Sequence, residues 1–126
     1  LPEARPRAPV PERRSTFVLI TDGTRLLLER RPPSGLWGGL LVPPEGEPDE
    51  VLAARGLVTV DCRKLPDLQH AFTHFRLTLA PVLCRVAAPS ALAEAGREWL
   101  PLATAASAGV PTPIARLIRQ VASAPD

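Results

Sequence analysis

The chain has 126 residues, 45% of them hydrophobic, with a net charge of +2, two cysteines and no methionine. That length builds one domain whose core needs no disulfide framework. No apolar run approaches the roughly 20 residues of a membrane span, and residues 1–14 contain no apolar stretch that would read as a signal-peptide h-region.

Fourteen of the fifteen cations are arginine, Lys64 being the exception. The guanidinium fork suits phosphates, but so mild a net charge does not by itself establish a nucleic-acid partner. A chain that begins at Leu1 with no methionine is expected to be a piece of a longer protein. Cys62 and Cys84 each sit alone in an apolar run, without the density of a secreted scaffold or the paired spacing of a zinc site. They are expected to be buried, reduced thiols of a cytosolic protein.

Residues 1–14, LPEARPRAPVPERR, carry four prolines and four arginines without periodicity and read as an interdomain linker. The domain is then residues 15–126. Phe17–Ile20 and Arg25–Arg31 read as two strands around an Asp22-Gly23 turn, with Pro32-Pro33 ending the second. A Gly/Pro-rich loop follows, interrupted by the apolar run Leu40–Val42. Asp49 is expected to cap a short helix with Glu50 in its first turn and Gly56 at its end.

LVTVDC, residues 57–62, reads as a further strand, and residues 68–86 alternate as strands do. Continued through residues 70–79, the alternation sets Phe75, Leu77 and Leu79 on one face and His70, Phe72, His74 and Arg76 on the other. EWLPL is a last short strand. Thr112 is expected to cap a closing helix with Pro113 in its first turn and an apolar stripe of Ile114, Leu117, Ile118 and Val121. Strands, a short helix, more strands and a closing helix make a mixed α/β domain.

This order, with its glycine-rich loop, resembles a Nudix (MutT-like) fold, in which a short helix and a C-terminal helix pack on a mixed sheet. A catalytic Nudix box reads G-x5-E-x7-R-E-U-x-E-E-x-G-U, where U is bulky and aliphatic. Its glutamates gather magnesium on one helix face. Gly39 and Glu45 match its first half, but AARGLV, residues 53–58, offers no carboxylate to its second. The fold is therefore expected without hydrolase activity, with no metal and no catalytic residue. Glu45, Glu47, Asp49 and Glu50 read as a solvated loop and a first helical turn.

Three further stretches are similar to the C-terminal domain of MutY-type adenine DNA glycosylases. They are ERRPPSGLWGGLLVPPEG (29–46), QHAFTHFRLTL (69–79) and WLPLATAASAGVPTPIARLI (99–118), in the family's order. The resemblance implies a domain that helps find 8-oxoguanine opposite adenine in double-stranded DNA during base excision repair. It implies lesion contacts at Phe72, Thr73 and His74: an aromatic wedge, a hydroxyl at the Hoogsteen edge and a neighbouring imidazole. It also implies an N-terminal catalytic domain that carries an iron–sulfur cluster, the fragment itself having no cofactor, and a bacterial cytoplasmic setting.

The chemistry agrees with the hydroxyl. Oxidation at C8 turns guanine N7 into an N–H donor, which a hydroxyl can accept.

Other readings of these residues stand beside that one. His70 bonds a neighbouring loop or joins the lesion contacts, and a zinc site from both histidines and a cysteine lacks the usual spacing. Arg30, Arg31 and Arg76 are candidate phosphate contacts or solvated strand-edge cations. Trp37 is expected to pack under the glycine loop, and Trp99 in the core. The alternative functions are a working Nudix hydrolase of oxidised nucleotides, and a protein-docking module using Leu36–Leu41.

Overall fold

The computed structural model describes residues 10–87 and 96–123. Most of the proline-rich stretch at the N-terminus, residues 1–9, lies outside them.

The first strand, β1 (Glu12–Thr21), is held by its β-branched and aromatic segment Phe17–Ile20, all four residues buried. It begins three residues inside the stretch read as linker. The reason is non-local: β6 (Arg76–Val86) runs parallel to β1 in register from Glu12 opposite Arg76 to Thr21 opposite Arg85. The Arg76 N–H extends the pairing by donating to the Pro11 carbonyl at 2.9 Å.

Asp22 makes the next turn, into β2 (Arg25–Arg30). Its carboxylate accepts from the Thr24 and Arg25 N–H groups at 3.0 and 2.8 Å, and from the Arg25 Nε at 3.0 Å. Burial alone would raise its pKa. The hydrogen bonds from Thr24 and Arg25 outweigh burial and hold it at about 2, below its ordinary 3.8. A carboxyl depressed in the folded state contributes stability above its unfolded value, lost as pH falls toward about 2. Asp22→Asn is therefore expected to cost about 1–2 kcal/mol at neutral pH, after discounting for solvent screening. Urea unfolding of both proteins checks this: the two curves should converge as pH falls toward about 2.

After the glycine loop come β3 (Leu41–Val42) and the helix α1 (Pro48–Ala54). Glu47, not Asp49, caps this helix, its carboxylate accepting from the Glu50 N–H at 2.9 Å. Pro48 causes the shift: lacking an N–H and held at a helical φ, it takes the first helical position and moves the cap two residues toward the N-terminus. Gly56, at φ +66°, ends it as expected. Its N–H reaches the Ala53 carbonyl and that of Leu57 the Leu52 carbonyl, a Schellman pair.

The chain continues through β4 (Thr59–Lys64), β5 (Leu68–Ala71), β6 and β7 (Arg97–Pro101). A short helix α2 (Leu102–Ala105), with no signal in the sequence, precedes α3 (Thr112–Ser123). Thr112 is already helical, and the Pro111 carbonyl accepts the bond from the Ala115 N–H.

The sheet runs β3-β2-β1-β6-β4, with β5 also on β6 and β7 on β2. Only the β1–β6 pair is parallel among the described strands, so the sheet is mixed. Its two faces carry separate cores. Phe17, Leu19, Leu28 and Leu79 meet Ile114, Leu117 and Ile118 of α3 on one face. Val18, Ile20 and Leu27 meet Val51 and Leu52 of α1 on the other. The α3 stripe is thus the predicted one, with Val121 at its half-buried edge. Trp99 is half-buried against the second core, with Arg25 over its ring at 5.7 Å.

The cysteines correct the sequence reading. Cys62 of β4 and Cys84 of β6 are register partners and form a disulfide. Cys84 is buried, whereas Cys62 lies on an exposed edge strand. Neither is a free thiol.

Candidate nucleic-acid interface

The segment HAFTHF folds as the end of the β5–β6 hairpin. Ala71 pairs with Arg76, and the Phe72 N–H donates to the Phe75 carbonyl at 2.8 Å. Thr73 and His74 are therefore the two residues that reverse the chain, and both are exposed. This turn breaks the alternation expected through residues 70–79. Instead of lying on opposite faces, Phe72 and Phe75 stack side by side, ring centroids 4.6 Å apart at 19°.

Beneath the turn the rings form a row. Phe72 lies 6.0 Å from Trp37, and Trp37 lies 6.0 Å from Phe17 in the core. His70 meets Phe72 edge-on at 4.8 Å and is half-buried, as is Phe72. Phe72 is thus braced from below and partly covered, while the polar pair Thr73–His74 stands clear. Tilted and offset ring contacts of this kind are worth about 0.5–1.5 kcal/mol each beyond the area they bury.

Trp37 reaches its position by an unusual backbone. Its φ of +56° is the one positive value outside glycine among the described residues. That conformation costs an L-residue about 1–2 kcal/mol, which its packing against Phe17 and Phe72 offsets. Packing under the loop, as expected, is what Trp37 does. Leu41 is fully buried, and Leu36 and Leu40 are half-buried, so the loop proposed for protein docking is largely folded inward.

Two of the candidate arginines hold that loop. Arg30 donates from Nη1 to the Gly39 carbonyl at 2.7 Å and lies 3.5 Å from Glu98. Arg31 forms an ion pair with Glu45, which also accepts from the Ser15 hydroxyl. Burial pulls the Arg31 guanidinium below the usual arginine pKa. Arg76 is different: it is exposed at the base of the turn, beside Ala71.

Arg13, read as linker, also belongs to this site. Its guanidinium carbon lies 4.5 Å from the centroid of the Phe75 ring. The alternation Arg13, Ser15, Phe17, Leu19 was the available signal, since it extends the strand pattern back into the arginines.

The carboxylates near the Nudix-box positions have partners within the fold. Glu45 is committed to Arg31 and Ser15. At the end of α1, Arg55 clasps Glu29 with two bonds of 2.6 and 2.7 Å, and Arg97 lies 3.1 Å from the same carboxylate. Cation and carboxylate thus neutralise each other where the motif would gather glutamates. Among the described residues no three His, Cys, Asp or Glu side chains are grouped to hold a metal.

A NUDIX domain family model matches residues 15–120. The chain belongs to that family. Solved structures share the NUDIX fold. The C-terminal domain of mouse MUTYH, in a complex with human PCNA, is 24% identical over 86% of each chain, with a TM-score of 0.67. The NUDIX domain of Shewanella oneidensis NrtR, solved with ADP ribose, is 16% identical over 87% of this chain and 86% of that one, at 0.64. The Nudix hydrolase RenU of M. smegmatis is 19% identical over 85% and 82%, at 0.56. The α+β fold with its mixed sheet is the expected one, and no described helix of this NUDIX domain is long and apolar enough to cross a membrane.

Proposed function

We propose that this NUDIX domain is the lesion-recognition part of a MutY-type adenine DNA glycosylase, which excises adenine opposite 8-oxoguanine. The observation that carries the reading is the 72–75 turn, which presents an exposed hydroxyl and imidazole on a braced row of rings. Thr73 would accept from the N7–H that distinguishes 8-oxoguanine from guanine. His74 would hydrogen-bond a neighbouring base or phosphate, and the exposed edge of Phe72 would press against the base stack.

Inserting an apolar side chain at a base step costs a few kcal/mol, offset by the contacts that bent DNA permits. The parent's catalytic carboxylates and iron–sulfur cluster would lie in its N-terminal domain. The domain alone would have no glycosylase activity. The spent Glu45 and the Arg55–Glu29 clasp favour this reading over a nucleotide hydrolase.

The test is an NMR titration with two duplexes, carrying 8-oxoguanine or guanine opposite adenine, at one low salt concentration. Shifts should concentrate at residues 70–76 and be larger for the lesion. Thr73→Ala should reduce the preference for the lesion about tenfold, in line with the ~1–3 kcal/mol of a base-edge contact. Equal preference in variant and wild type would remove the hydroxyl from the reading. Equal shifts for both duplexes would leave a domain that binds backbone only.

A further inference from the structure

The cations around the turn are not equivalent. Arg14 is paired with Asp67 at 2.9 Å, Arg30 holds the Gly39 carbonyl and Arg31 holds Glu45. Arg76 is exposed, opposite Glu12 in the β1–β6 register, and among the described residues neither a carboxylate nor a ring holds its side chain. Arg13 is exposed, and among the described residues no carboxylate pairs with it. Its contact is the Phe75 ring, whose other neighbour is Phe72. Arg13, Phe75 and Phe72 therefore form one continuous row that leads to Thr73 and His74.

A guanidinium held over a ring is preorganised. The contact limits the freedom of a long side chain before any ligand arrives, so less entropy is lost on binding. The N–H donors at its edge are left for another acceptor, and their fork matches the two free oxygens of a phosphodiester. Register adds the placement: Arg13 lies opposite Leu77, two residues after Phe75, on the flank of the turn.

We infer that Arg13 binds a backbone phosphate of the DNA strand that meets the 72–75 turn, and so sets the strand's register over Thr73 and His74. The inference rests on the DNA-recognition reading above and adds a residue to it. Arg13 is a positioning residue: it contacts the phosphodiester common to all sequences and leaves the reading of the base to the turn.

The experiment compares this chain with Arg13→Gln and Arg13→Lys, measuring affinity for the lesion and undamaged duplexes between about 50 and 200 mM salt. Loss of one phosphate contact should make the slope of log K against log salt shallower by about 0.9. Arg13→Gln should show that change and weaken binding by the same factor on both duplexes. Arg13→Lys, still a cation, should keep the wild-type slope, whereas a purely structural role on Phe75 would leave the slope of Arg13→Gln unchanged as well. Thr73→Ala should change the ratio between duplexes and leave the slope alone.

A wild-type slope in Arg13→Gln, or a loss confined to the lesion duplex, would overturn the inference by itself. So would an Arg13→Lys slope as shallow as that of Arg13→Gln. Wild-type protein that bound neither duplex would overturn the DNA reading and this inference together.

Discussion

Gly38→Ala is expected to destabilise the domain by about 3 kcal/mol, the upper end of the usual overpacking range. A Cβ at this position would lie 2.8 Å from the Pro33 carbonyl carbon and closer still to its oxygen, with the Pro32 oxygen at 3.2 Å. The obstruction is backbone, and it has little room to yield. Two prolines restrict the φ angles there, while the Gly39 N–H is bound to the Pro32 carbonyl at 3.1 Å. The Gly38 N–H in turn bonds the Gly35 carbonyl at 3.2 Å.

Moving Gly38 moves its neighbour Trp37, and Trp37 supports Phe72. The variant should therefore lose lesion preference as well as stability, although no residue of the turn has changed. Gly35→Ala is the control: its Cβ would meet nothing within 4 Å, but its φ of +90° disfavours a side chain. That variant should cost about 1 kcal/mol. Urea midpoints of the three proteins decide the matter. A Gly38→Ala midpoint no lower than that of Gly35→Ala would mean the loop relaxes freely.

Opening the Cys62–Cys84 bond is expected to cost a similar amount. In the chain-entropy model, a cross-link between residues separated by 22 positions stabilises the fold by about 3 kcal/mol. The location supports a large effect. All of β4 is exposed, Val58 and Val60 are 78% and 65% accessible, and the pairing with β6 shifts register between Thr59 and Asp61. So little burial leaves the disulfide as the principal clamp on this edge.

Cys62→Ser isolates the cross-link, because Cys62 is exposed and Cys84 stays in place as a small buried thiol. The variant and the reduced wild type should unfold at the same lowered urea concentration, and reductant should not affect the variant. A wild-type midpoint indifferent to reductant, together with two titratable thiols, would show that the bond does not form.

Several features were legible from short stretches. Asp22 turns β1 into β2 because its carboxylate bonds the N–H groups two and three residues on. The α3 stripe follows from the helical period, and Gly56 ends α1 because a positive φ suits glycine. The missing carboxylates of AARGLV were equally plain, and Arg55 in that segment is bound to a glutamate from β2. The glycine–tryptophan run and HAFTHF marked two sections of chain that the fold brings together at Trp37 and Phe72.

What the sequence by itself determined was therefore local: turns, caps, periodicity and the chemical character of the site. Partnership across the chain was decided only in the tertiary structure. The parallel β1–β6 register turned Glu12–Arg14 from linker into strand and put Arg13 on Phe75. The β4–β6 register brought two solitary cysteines together. The hairpin reversed at Thr73–His74, without glycine, asparagine or proline to announce it, because β5 and β6 pair up to Ala71 and Arg76. Signals spanning a few residues are set by backbone sterics and hydrogen bonds within reach of one another. Strand register depends on which faces can be buried together, and that is a property of the whole sheet.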